Sequence, residues 1–201
     1  MKSYRLSTHR TADEVDIERL WAAWIKVFAM TSIDTLSSFL SAIAIFVAIL
    51  TYLHQSRKAQ FLTKLEYLWR FEQQFRSEPS MLDNRLCAAN ALLEDHPCKE
   101  LDEVYNYFET VGIYLKVNAL DTEMTWATFE HWAVHYWYAG QTYIRHEREE
   151  DHTIWEYYEY LVTTLIKFGA KYNPTVERPP NSDQIKRFLL DERDLLQAKS
   201  A

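Results

Sequence analysis

LSSFLSAIAIFVAILTYL, residues 36–53, carries no charge over 18 positions, with Asp34 before it and His54, Arg57 and Lys58 after it. As an α-helix rising 1.5 Å per residue it is about 27 Å long, close to the ~30 Å hydrocarbon thickness of a bilayer. It is long enough to span, with little to spare. A signal peptide keeps its apolar core near the N-terminus and ends at small residues, whereas this stretch lies further in and is followed by aromatic and basic side chains. The competing reading is a buried core helix of a soluble protein, which seldom runs so long without a charge.

The flanks orient the span. Arg57, Lys58, Lys64 and Arg70 follow it, against Arg19 and Lys26 before it, so the positive-inside bias assigns the residues after Leu53 to the cytoplasm. The expectation is a single-pass protein of the bacterial inner membrane, with Tyr52 as an interfacial anchor. Ser37, Ser41, Ala44 and Ala48 recur at i, i+4, i+7 and i+11, a small-residue face on which a second copy can pack closely, unless Ser and Ala are merely tolerated there. Upstream, Ile17, Leu20, Trp21, Trp24, Ile25 and Phe28 share one side of a helix that suits the headgroup layer. Residues 1–33 thus form an extension with an interfacial helix, residues 34–54 the span, 55–173 the body, and 174–201 a linker and tail. Met30 leaves open whether the first 29 residues belong to the native protein.

Composition narrows the class. The 201 residues include only 3 Gly and 5 Pro, with 48% hydrophobic and 15% aromatic side chains. Sandwiches and barrels need turn glycines, and nucleotide folds need a glycine-rich phosphate cradle, so both are excluded in practice. The net charge of −7 lies wholly after residue 53, with 24 acidic against 17 basic side chains there. Between Glu94 and Glu159 the ratio is 15 to 4. An acidic body opposes binding to DNA or RNA, which needs clustered cations. Cys87 and Cys98 lack CxxC or metal spacing and fit reduced thiols.

The body reads as all-α, a bundle of about five helices. A stripe of Phe61, Leu62, Leu65, Leu68, Trp69 and Phe75 is followed by a second helix opened by a capping box, Ser80-x-x-Asp83, with Leu82, Leu86, Ala89 and Leu93 on one face. Leu101, Val104, Tyr105, Phe108, Val111, Gly112 and Leu115 make the third. Asp121 caps a fourth, with Trp126, Phe129, Ala133, Tyr136, Trp137, Gly140 and Ile144 at the same spacing. Thr153-x-x-Glu156 is a second capping box, opening a fifth through Ile166. Gly112 and Gly140 lie on apolar stripes, which points to close helix crossings. After Pro179-Pro180, Ile185, Phe188, Leu189 and Leu196 form a short amphipathic helix able to dock on the body, bind a partner or fray.

Few residues offer chemistry. His131 and His135 stand at i, i+4, a zinc-compatible spacing, but without an H-E-x-x-H motif and about 160° from Ala133, so they read as solvent-facing. Glu109 flanks an apolar helix and is a partly buried carboxylate of raised pKa, a partner for an Arg, or a cap of a neighbouring helix. Trp132 and Tyr138 lie off the apolar stripe and are the first candidates for a contact surface. No cofactor or metal motif is present, and no catalytic residue is assigned.

The ordered string L-x-Y-L-W-R-F-E-Q-Q-F-R (65–76), Y-F-E-T-V-G (107–112), W-x-x-F-x-x-W-x-x-x-Y-W (126–137) and W-E-x-Y-E-x-L-V (155–162), behind a hydrophobic span, resembles bacterial domain-of-unknown-function family 4760. The resemblance covers roughly residues 36–171 and implies a membrane-anchored helical protein with no assigned activity. The leading expectation is therefore a membrane-anchored cytoplasmic module for protein interaction or assembly, with the bilayer, a second copy and an unknown protein as partners and no nucleic acid. The alternative is a membrane-tethered enzyme or toxic effector, as in phage defence, that uses Glu109 or His131/His135.

Overall fold

Helix α1 (Ile33–Ser77) runs uninterrupted for 45 residues and contains both the apolar stretch and the first stripe of the body. Two helices were expected there. None is broken, because no Gly or Pro stands between Leu53 and Gln55 or in the twenty residues beyond. The computed structural model describes residues 19, 21–22, 33–96, 98–172, 174 and 179–200. The interfacial helix expected around residues 17–28 lies almost wholly outside the described residues, and nothing is described of the Ser37 side chain. Among the described residues all regular structure is helical.

The chain divides into two units, Met1–Arg57 and Lys58–Ala201. In the first, the large aliphatic and phenylalanine side chains from Phe39 to Leu53 are each 45–62% exposed. An 18-residue window of mean hydropathy 1.7 has no part buried within the protein. A core helix of a soluble protein would be covered on at least one face. This helix is thus long and apolar enough to cross a membrane, and the described residues leave it uncovered. The Thr51 hydroxyl donates to the Val47 carbonyl at 2.8 Å, which satisfies it within the helix.

The second unit packs residues 58–77 of α1 with α2 (Pro79–Glu94), α3 (Lys99–Lys116), α4 (Thr122–Ala139), α5 (Gln141–Glu150), α6 (Glu156–Tyr172) and α7 (Ser182–Ser200). Helix α3 lies at its centre, against α2, α6 and, through its rings, α1. It buries Leu101, Val104, Tyr105, Phe108, Val111, Gly112 and Leu115, the complete stripe read from the sequence. Phe75 sits in the aromatic centre, 5.2 Å from the Phe108 ring and 6.2 Å from Phe129. Helix α7 packs on α2 and α4 and buries Phe188, Leu189 and Leu196, so the tail is docked rather than frayed.

Four local readings change. Helix α2 starts at Pro79, whose missing N–H costs nothing at a first helical position, and Glu78 precedes it without a side-chain cap, so Ser80-x-x-Asp83 is not a capping box. Its buried face is Met81, Arg85, Ala88 and Ala89, with Leu82 and Leu86 only half-buried. The fourth helix breaks at Gly140 into α4 and α5, where a Cβ would lie 1.5 Å from the Tyr105 hydroxyl oxygen. Thr153 binds Asp151 instead of capping α6, and Trp155 just before that helix has φ 54°, a left-handed backbone rare for a bulky residue. The Asp121 cap forms as expected, accepting from the Met124 N–H at 3.1 Å.

Gly112 marks the α3–α6 crossing. A Cβ there would stand 2.1 Å from the Tyr157 carbonyl oxygen, which is backbone and cannot swing aside. Gly112→Ala is expected to destabilise the body by about 1–3 kcal/mol, the usual range for overpacking, read as a lower midpoint in urea denaturation followed by far-UV circular dichroism.

Candidate functional site

The polar residues that fall inside the body gather in three places. At the first, Glu109 on α3 accepts from the backbone N–H groups of Tyr157 (3.2 Å) and Tyr158 (2.5 Å). These are orphan donors of the first turn of α6, so a carboxylate on one helix caps the start of another and also meets the positive end of its dipole. Arg148 on α5 closes the same junction, donating to the carbonyls of Ile154 (2.9 Å) and Trp155 (3.2 Å) and to Glu159 (2.7 Å). The Trp155 indole donates to Asn106 at 3.0 Å. These bonds hold Trp155 in its left-handed conformation. Burial raises the Glu109 pKa above the ordinary carboxylate value, while the two N–H groups pull it down. Both Glu109 oxygens are engaged.

His131 and His135 form the second place: His131 is exposed, as its helical angle suggested, and His135 is half-buried. Their rings lie 4.5 Å apart, and Phe188 of α7 packs against both, at 5.2 Å and 4.9 Å. The His135 Nδ1 pairs with the His131 carbonyl at 2.6 Å. Among the described residues no group of three or more His, Cys, Asp or Glu comes together to hold a metal. Trp132, beside them, is half-buried, 5.5 Å from Phe75 and under the Arg76 guanidinium at 4.6 Å. Tyr138 is half-buried in an open groove of about 420 Å³ between α2, α4 and α7, lined by Leu92, Leu93, Ile185 and Leu189. Ala44 and Ala48 are exposed on α1. The structure therefore scatters the candidates and brings only the histidine pair and Trp132 together.

The third place escaped the sequence reading. Arg85 on α2 and Glu192 on α7 are only 2% and 4% exposed and form a salt bridge across 107 residues of chain, the Nε–Oε1 distance being 2.7 Å. Arg85 also donates to the Phe75 carbonyl at 2.7 Å and lies 4.2 Å from the Phe75 ring centre. The Tyr136 hydroxyl donates to Glu192 Oε1 at 3.2 Å. Four helices thus meet at one ion pair. The signal was present: Glu192 stands midway between Phe188 and Leu196, and Arg85 between Met81 and Ala89, each a charge inside an apolar i, i+4, i+8 row. A charge there must be paired when buried. Cys87 is exposed and Cys98 half-buried, both free, and burial raises both thiol pKa values, which opposes reactivity.

A family profile described as "Domain of unknown function (DUF4760)" matches residues 38–165. The chain belongs to that family. No curated protein and no solved structure matches it. The DUF4760 match starts in the apolar stretch and ends within α6, so Arg85, Glu109 and Tyr136 lie inside it, whereas α7 with Phe188 and Glu192 lies beyond it. In this chain the domain's buried cation is neutralised from outside the matched region.

Removing one partner of a buried pair leaves the other charge uncompensated, so Glu192→Leu is expected to destabilise by about 3–5 kcal/mol, and adding Arg85→Met to recover most of that loss. A double-mutant cycle in urea measures the coupling. Burial beneath Phe188 lowers the His135 pKa below its ordinary 6.5, so the folded state resists the proton and stability falls as pH drops through 6.5 toward the depressed value. His135→Gln is expected to flatten stability between pH 7 and pH 5, measured as the urea midpoint against pH.

Proposed function

We propose that this DUF4760 protein is a single-pass membrane protein whose helical body serves, in the cytoplasm, as a module for protein interaction or assembly, with self-association through the small-residue face of the span. One observation carries the reading: an apolar helical window of spanning length that the described residues leave wholly uncovered. In water that surface would drive aggregation, whereas in lipid it needs no cover. The basic residues that follow it support the cytoplasmic orientation.

The polar groups of the body support a non-catalytic reading. A general base needs a free lone pair aimed at a reacting proton. Glu109 gives both oxygens to the α6 backbone, and His135 gives its Nδ1 to the His131 carbonyl. Their partners are those of structural groups, and the enzyme alternative gains no observation of its own. The conformational roles of the helices then leave surfaces, not a reacting centre, as what the body offers.

Extraction of membranes with alkaline carbonate is expected to leave the protein in the pellet, and recovery with peripheral proteins overturns the anchor. A tag after residue 201 is expected to resist protease added to intact spheroplasts. In a Cys87→Ser, Cys98→Ser background, Ala44→Cys is expected to form a disulfide-linked dimer in membranes while Phe46→Cys, about 200° away around the helix, does not. Equal crosslinking at both positions refutes the small-residue face.

A further inference from the structure

One end of the body gathers exposed lysines beside exposed apolar side chains. The last turn of α3, the first turns of α4 and the last turns of α6 gather there: only residues 117–121 separate α3 from α4, and Trp126 lies 5.7 Å from the Phe168 ring centre and stacks on Tyr172 with ring centres 6.0 Å apart. Exposed at this end are Lys116, Lys167 and Lys171, with Val117 67% and Tyr172 53% exposed beside them. Of the nearby acids, Asp121 is held as the α4 cap and Glu123 is exposed. The opposite end, where Tyr143 of α5 binds Asp102 of α3, carries Glu147, Glu149, Glu150 and Asp151. A helix C-terminus accounts for Lys116 and Lys171, since cations there offset the dipole. It does not account for Lys167, nor for exposed Val117 and Tyr172 beside the lysines. Ammonium groups flanking an exposed aliphatic and an amphipathic aromatic ring are the chemistry that settles into an anionic headgroup layer.

We propose that this basic, aromatic end of the body is a docking surface for anionic phospholipid headgroups, with Lys116, Lys167 and Lys171 binding phosphates while Val117 and Tyr172 enter the interface. The surface rests on the membrane reading above. The acidic opposite end, repelled by the same lipids, keeps the docking polar in one direction. Its attraction is electrostatic and fades beyond about 10 Å at 0.1 M salt.

The test uses the full chain in nanodiscs, in the Cys87→Ser, Cys98→Ser background, with a nitroxide at one of three positions: Val117→Cys in the patch, Glu149→Cys at the acidic end, or Val47→Cys in the apolar window. Collision with an aqueous nickel chelate and with oxygen reads the environment of each label. On membranes containing phosphatidylglycerol, the Val117 label is expected to lose nickel access several-fold relative to Glu149, and to regain it on purely phosphatidylcholine membranes or with Lys116→Glu, Lys167→Glu and Lys171→Glu together. That triple change shifts the docked-to-free ratio by about 100-fold or more. Nickel access at Val117 equal to that at Glu149 on anionic membranes overturns the proposal, as does protection that is the same in both lipids, which assigns the patch to a protein contact. Nickel access at Val47 would instead refute the membrane reading itself.

Discussion

The body is organised around a buried guanidinium. Arg85 cannot leave its charge without a partner in an interior where an unpaired ion is costly, so every helix that approaches it must bring an acceptor or a ring. Helix α1 brings the Phe75 carbonyl and ring, α7 brings Glu192, and α4 brings the Tyr136 hydroxyl to the same carboxylate oxygen. Apolar packing alone tolerates many arrangements of similar energy, and a directional cluster of this kind selects among them. It also ties α7 to the domain, since the helix has a narrow apolar row and would otherwise rest on Ile185, Phe188, Leu189 and Leu196.

Around that cluster the core is aromatic, and its geometry depends on what glycine permits. Phe75, Phe108, Phe129 and Tyr158 fill the space between α1, α3, α4 and α6, with Phe108 and Tyr158 stacked at 5.1 Å. Rings of this size keep helices apart unless a residue without a side chain lets them meet. Gly112 and Gly140 are such positions: one lets the backbone of α6 touch α3, the other admits the Tyr105 hydroxyl, which donates to the Tyr136 carbonyl at 3.2 Å.

What could be read from the chain follows from the range of each interaction. The buried rows of α3, α4 and α6 repeat with the helical period, and the Asp121 cap acts within three residues, so both were visible locally. The Gly112 crossing was legible because a glycine on an apolar row has few other uses. Glu109 could be read as a cap in kind, but not which helix it caps, since its donors lie 48 and 49 residues away and a local Thr153-x-x-Glu156 pattern offered a false alternative. Helical angle fixes which way a side chain leaves its own helix, so His131 is exposed as read, but not that α7 arrives to half-cover His135. Arg85 and Glu192 looked like ordinary charges because pairing between them is invisible until α2 and α7 are side by side.

The span of 107 residues between Arg85 and Glu192 also sets an order of events during synthesis. At about 5–20 residues per second, the arginine waits roughly 5–20 s before its carboxylate has even been polymerised. Helices α2 to α6 are complete during that interval, yet the pocket around the guanidinium stays open to water. Closure of that pocket therefore waits for α7, and a ribosome that stops before Glu192 releases a chain whose Arg85 lacks its carboxylate partner.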